Sequence, residues 1–182
     1  METRQFVTNV GLITSNGPYG HNVMACEWTH HISYTPFLIL VCIGPNKATF
    51  TNIKESKEFG VNIAASDQNS VASIVGNNSG KTVDKIKVLE ELGLIFYGAS
   101  KIDTLMIEGA AMNAECKLIK FVEIGDHPLF IGEALTMVEV EKKPLIYHDG
   151  KYWMHGDQIK KPDEEVLAQF ADVIRKFKKG NK

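Results

Sequence analysis

A chain of 182 residues is long enough for one domain whose core buries roughly 70% of the unfolded surface, so no structural metal or disulfide is needed to hold it. It is 44% hydrophobic and 23% charged, an ordinary globular balance, and a formal net charge of −2 gives no electrostatic basis for binding nucleic acid or anionic lipid. No apolar run approaches the ~20 residues of a membrane span, and METRQFVTNV lacks the apolar core of a signal peptide, so the cytoplasm is the expected compartment.

In chain order, residues 6–14 read as a first strand, and the run Asn16-Gly17-Pro18-Tyr19-Gly20 as a turn. Residues 23–33 read as extended. Pro36 interrupts before the apolar run 37–43, a strand buried on both faces. Residues 49–56 read as a short helix and 59–64 as another strand. Ser66 is expected to cap a helix over 67–75, and 76–82 is a loop. A helix over 83–91 should stop at Gly93. Residues 94–97 and 105–108 are short strands; 111–123 and 129–141 are long extended segments with partial alternation. Asp149-Gly150 marks a hairpin between 145–148 and 151–154. Pro162 opens a C-terminal helix over about 162–179, with Val166, Phe170, Val173, Ile174 and Phe177 on one stripe. With no linker, repeat or low-complexity segment, residues 1–182 are expected to form a single domain. Strands dominate, and a closed barrel is a natural way to remove their exposed edges.

Several constellations carry chemistry. Gly76-Asn77-Asn78-Ser79-Gly80-Lys81-Thr82 looks like a P-loop but has three residues, not four, before Gly-Lys-Thr, and it follows a helix; an ATPase is rejected. Cys26, Cys42 and Cys116 form an odd set without CxxC spacing, expected reduced and buried. Cys26 with His30 or His31 invites thiol catalysis, but adjacent histidines on a strand face opposite sides, and a free cysteine reads more simply as a small hydrophobe. The six histidines offer no HExxH, so no catalytic metal is expected. The junction Gly44-Pro45-Asn46-Lys47-Ala48-Thr49 is different. A turn leads there into a helix start, whose free N–H groups and positive dipole end favour an anion, with a lysine and a hydroxyl to hand.

That junction, within the strand–strand–helix–strand run over 22–62, resembles the flavin reductase-like family. So does the block Gly125-Asp126-His127-Pro128-Leu129-Phe130-Ile131-Gly132-Glu133, which is similar to the family's GDH-x-x-F-x-G-E signature. The resemblance runs from about Phe6 to Trp153. It implies a mainly β protein with appended helices: a split β-barrel of the FMN-binding type.

The resemblance also implies a site. Asn46, Lys47, Ala48 and Thr49 would hold the FMN phosphate, with Lys47 where the family often has Arg. Asn22, Met24, Ala25, Cys26, Glu27 and Trp28 would lie along the isoalloxazine ring and give it mainly backbone contacts. Met24 and Cys26 depart from the family's frequent Thr-Ala-Ser, and Met24 and Trp28 also read as plain core residues. Ser-Gly-Lys before Asp84-Lys85 resembles the family's Ser-Gly-Arg loop. It makes Lys81 and Lys85 a basic lip near the phosphate or ribityl chain, or simply part of a solvated loop. His127, near the dimer interface and the nicotinamide face, is the catalytic candidate, seating nicotinamide; a turn histidine satisfied by Asp126 is the other reading. Asn62 and Tyr147 read as structural.

The implied activity is that of an NAD(P)H-dependent flavin reductase, with NADH or NADPH as co-substrate and hydride passing from nicotinamide to bound flavin. The alternative is a flavoredoxin-like electron carrier that keeps FMN and docks a protein redox partner. A homodimer is implied, with one face of strands 111–123 and 129–141 filling the barrel and the other meeting the partner copy.

Overall fold

The computed structural model describes residues 5–179. The elements are β1 (Val7–Asn9), β2 (Gly11–Ser15), β3 (Asn22–Cys26), β4 (Thr29–Tyr34), β5 (Phe37–Cys42), α1 (Ala48–Ser56), β6 (Glu58–Ile63), α2 (Asn69–Asn77), α3 (Lys85–Glu91), β7 (Phe96–Gly98) and β8 (Leu105–Ile107). The long strands β9 (Met112–Val122) and β10 (Leu129–Glu139) follow, then β11 (Ile146–His148), β12 (Lys151–Trp153) and α4 (Glu164–Lys176).

Seven strands form one antiparallel sheet in the order β3-β2-β6-β9-β10-β5-β4. Its edge strands, β3 and β4, are neighbours in sequence, joined only by Glu27 and Trp28, and they are not paired with each other. The sheet therefore curls toward closure but stays split, as expected of a split β-barrel. β1, β11 and β12 make a small three-stranded sheet, and β7 with β8 a two-stranded one. Mainly β architecture with a curled half-barrel and a few helices is the split-barrel fold.

Two expected strands are broken. Residues 6–14 divide at Val10, because β1 pairs with β11 while β2 joins the large sheet. Residues 23–33 divide at Glu27–Trp28, where Thr29 N donates to Glu27 O (3.1 Å) and Cys42 N to Trp28 O (3.1 Å). Ser66 does not cap α2. The helix begins at Asn69 with Gln68 before it; the Gln68 carboxamide accepts from Ala65 N and donates to Glu108 O, and Asp67 pairs instead with Lys142 at 2.9 Å. α3 starts after Asp84, whose carboxylate accepts from Lys87 N at 3.1 Å, and Gly93 follows it with φ +88°. Asp149 and Gly150 both have positive φ, as the β11–β12 hairpin requires.

One core fills the curled sheet, with Ile13, Ile39, Val41, Phe59, Val61 and Phe130 at its centre. A second lies between the sheet and helices α2 and α3, built on Leu12, Val23, Ala72, Val75, Ile86 and Leu89. Leu12 and Ile13 face opposite cores and neither is exposed, so β2 is buried on both faces. Gly132 of the second signature is a packing requirement, since a Cβ there would come within 2.5 Å of the Phe59 ring. Asn62 ties strands together as expected of a structural residue. Its Nδ2 donates to Leu12 O (2.8 Å), and its Oδ1 accepts from Ile107 N (2.9 Å) and Asn113 Nδ2 (2.7 Å). Tyr147 packs on Tyr152 with ring centroids 5.6 Å apart.

Ile119, Leu135, Met137, Val138 and Val140, on and just beyond β9 and β10, remain exposed. α4 forms as the sequence indicates, with Asp163 capping Val166 N at 3.0 Å, but it buries no residue and its apolar stripe is open. No helix among the described residues is long and apolar enough to cross a membrane.

Candidate functional site

A cleft of about 550 Å³ opens where the barrel is split. β3 forms one wall. As an edge strand it pairs only with β2, so backbone groups along its other edge are free to face a ligand. Asn22, Met24, Ala25, Cys26, Glu27 and Trp28 all line the cleft, with Cys42 and Gly44 from the end of β5. Val75 and Gly76 of α2 approach from the opposite side, and Gly76 comes close to Ala25: a Cβ there would lie 3.6 Å from the Ala25 Cβ.

The anion-favouring end lies at the start of α1. The turn closes with Lys47 N donating to Gly44 O at 3.1 Å, and helix geometry begins at Ala48. Lys47 makes no side-chain cap and the first turn has no acidic residue, so the helix N–H groups and dipole are left for a ligand. Asn46, Lys47, Ala48 and Thr49 all line the cleft. Thr49 is fully buried, and its Oγ1 accepts from Asn22 Nδ2 at 2.7 Å. That hydrogen bond fixes the hydroxyl as acceptor on one side and leaves its proton to donate.

Lys85 reaches the same end from α3. It is 3% exposed and donates to Val75 O at 3.3 Å. Burial, and next the charge of Lys47, lower its ammonium to about 8. Two cations and a helix N-terminus without a described counter-charge form a cradle for an anion.

Lys81 does not line this cleft. Ser79 accepts from the backbone N–H of Lys81 and Thr82, and the loop turns Lys81 over the Tyr19 ring, 5.5 Å from its centroid. Its neighbours Ser79 and Gly80 form the wall instead, with Asn77 and Asn78. Gly80 packs so closely on Asn22 that a Cβ would lie 2.1 Å from Asn22 Oδ1. Ser79 and Gly80 belong to the Ser-Gly-Lys loop read from the sequence, whereas Asn77, Asn78, Val75 and Cys42 were not singled out as site residues. For Asn77 and Asn78 the local signal is the Asn pair at the end of α2, whose side chains donate back to Ser73 O and Ile74 O.

His127 stands at the mouth. Its Nδ1 lies 3.0 Å from Asp126 Oδ1, and its ring meets Trp28 edge-on with centroids 4.8 Å apart. The hydrogen bond and the charge of His127 hold the Asp126 carboxyl below its ordinary range. Nε2 is turned toward Gly44. Thiol chemistry finds no support. Cys26 Sγ donates to Cys42 O (3.3 Å) and Trp28 O (3.6 Å), and burial pushes its thiol up to about 11. His30 and His31 sit outside this cleft, with rings 4.7 Å apart. All three cysteines are free, and no group able to hold a metal ion occurs among the described residues.

An apolar slot with edge-strand donors at one end and a cationic, N–H-rich cradle at the other fits a flat ring carrying a phosphorylated side chain. The chain is similar to several known proteins. An uncharacterized protein of Archaeoglobus fulgidus is 33% identical over 150 residues, 82% of this chain and 74% of its own. The FMN reductase (NADH) RutF of Serratia proteamaculans is 24% identical, over 79% of this chain and 78% of its own. A flavoredoxin from Methanosarcina acetivorans has the same fold, with a TM-score of 0.79 at 21% identity over 93% of this chain and 97% of that one. Residues 3–154 match the flavin reductase like domain, and the chain belongs to that family.

Proposed function

We propose that this protein is an FMN-binding oxidoreductase, an NAD(P)H-dependent flavin reductase. The observation that carries the reading is the convergence of Lys47, Lys85 and the uncapped start of α1 at one end of the cleft. Bound FMN would supply two-electron redox chemistry toward a nicotinamide, and the protein would supply binding, orientation and electrostatics. In this reading Asn46–Thr49 and Lys85 hold the phosphate, with Lys81 a more distant cation on the lip. The free edge of β3 would face the ring and could donate N–H groups to it. Met24, Ala25, Val75 and Trp28 exclude water from its face. His127 seats the nicotinamide through Nε2, held in orientation by Asp126 at Nδ1. A homodimer would cover the exposed apolar side of β9 and β10.

The test is anaerobic mixing of the FMN-loaded protein with NADH and, separately, NADPH, followed by the flavin absorption near its long-wavelength band. Bleaching by either nucleotide is the expected result. Protein that binds FMN but is reduced by neither would favour the flavoredoxin-like carrier, which receives electrons from a protein partner. Protein that takes up no FMN would refute the flavin site altogether.

A further inference from the structure

The end of the barrel away from α1 holds a second cavity. α1 closes the near end, where Phe50 packs on Phe121 and Phe130 and Ile53 enters the core. β10 runs from Phe130 at that end to Met137 at the other, roughly 20 Å along the strand. There a cavity of about 460 Å³ opens, and no residue of any described helix lines it. It shares no lining residue with the flavin cleft.

Its lining is sorted by depth. Ile39, Val61, Ile63 and Ala111, all buried, form the floor. Phe37, Met112 and Met137 make the walls. His31 stacks on Phe37 with ring planes 22° and centroids 6.0 Å apart, so one flank of the mouth is aromatic. An apolar cavity of this size falls in the range of small-molecule sites and takes apolar guests. Two thioethers and a stacked pair of rings favour a flat aromatic one.

Polar groups narrow the class further. Asn9 lines the cavity, and its side-chain oxygen is buried and accepts no hydrogen bond from a described residue. A guest with an O–H group would satisfy it. The Glu139 carboxylate stands at the rim, while Lys142 beside it is held by Asp67 at 2.9 Å, which disfavours an anionic guest.

We propose that this end of the barrel binds a neutral, flat phenol of about two rings, its face against Phe37 and the two methionines and its hydroxyl donating to Asn9 Oδ1. The site goes beyond the flavin reading and does not depend on it. Met137 and Val140 stand at the mouth on the apolar side of β10, so the competing occupant is a side chain of a second copy.

The experiment is equilibrium dialysis of the FMN-loaded protein at neutral pH against 2-naphthol, naphthalene and 2-naphthoate. There the phenol is neutral and the carboxylate charged. One 2-naphthol should bind per chain without release of FMN. Naphthalene, which has no donor, should bind about threefold to tenfold more weakly, the worth of one neutral hydrogen bond. 2-Naphthoate should bind more weakly than either. Met137→Trp fills the cavity and should abolish 2-naphthol binding with FMN retained. Asn9→Ala should erase the preference for 2-naphthol over naphthalene. Release of FMN by 2-naphthol would put the phenol in the flavin cleft and overturn the proposal. Equal binding of all three compounds, as in surface adsorption, overturns it as well. So does a parent protein that binds no 2-naphthol, the result expected where a second copy fills the mouth. If neither variant folds, the parent's three-compound comparison still decides. If the protein takes up no FMN, the flavin reading fails, and the same dialysis of the flavin-free protein decides this site separately.

Discussion

Replacing Thr49 by valine keeps the shape of a buried side chain and removes one oxygen, and two effects of that change can be told apart. The first is on stability. Thr49 Oγ1 accepts from Asn22 Nδ2 at 2.7 Å, and Asn22 is itself 4% exposed. Losing the acceptor strands a buried N–H at a cost of about 1–3 kcal/mol. For a chain of this size that lowers Tm by roughly 2–12 °C, at about 2–4 °C per kcal/mol. The second effect is on binding. With Asn22 donating to the oxygen, the hydroxyl proton is available to the phosphate. A hydrogen bond to a charged group is worth about 1.5–3 kcal/mol, so FMN should bind roughly 10- to 150-fold more weakly. Differential scanning calorimetry of the flavin-free protein reads the first effect; fluorescence titration with FMN and riboflavin reads the second. Riboflavin affinity should stay within about twofold of the parent. A lowered Tm with unchanged FMN affinity refutes the contact between Thr49 and phosphate. An equal loss for both flavins shows instead that the cleft has collapsed.

Other expectations follow from the same geometry. Asn62→Ala removes the hub that joins β2, β8 and β9 and should cost about 2–4 kcal/mol in urea unfolding, with no direct effect on the cleft; unchanged stability would mean that the network adds nothing. His127→Ala should slow reduction of bound FMN about threefold to tenfold, the worth of one neutral hydrogen bond, with FMN affinity almost intact. Stopped-flow traces identical to the parent's would return His127 to a turn residue held by Asp126. Light scattering at micromolar concentration should give twice the 20.2 kDa chain mass, and a monomer with FMN bound would refute the dimer.

Much of the fold could be read from local chemistry. The Gly44–Thr49 junction, the apolar run of β5, the Asp149-Gly150 turn and the Asp163 cap each contain their own instruction. The breaks at Val10 and at Glu27–Trp28 do not. At Val10 the chain changes sheet partners between two strands, and at Glu27–Trp28 it bends, with Thr29 N bonded to Glu27 O, yet none of Val10, Glu27 and Trp28 is a glycine, proline, asparagine or aspartate. Alternation could not help in β2, because Leu12 and Ile13 face two different cores. The site divides in the same way. Lys47, Lys85 and residues of β3 line one cleft. Lys81 lies elsewhere because the Ser79 turn and the contact between Gly80 and Asn22 set its direction, and that contact spans more than fifty positions. α4 was legible as a helix from its cap and stripe, but the periodicity says nothing of what the stripe meets.

The order of strands in the large sheet has a consequence for how the chain becomes folded. β2, β3 and β6 form one flank and β4 and β5 the other, yet in the strand ladder the two flanks are joined only through β9 and β10. All five flanking strands lie before residue 64, and the pair that unites them begins at Met112. A ribosome must therefore add about 75 further residues, from Ile63 to the end of β10 at Glu139, before the first third of the chain can complete its sheet. Until then the edges of β6 and β5 stand open, as templates for wrong pairing. Assembly should be slow for a domain of this size, since its decisive contacts are remote in sequence. Substitutions that weaken the β9–β10 hairpin should delay folding more than equal losses at β3 or β4.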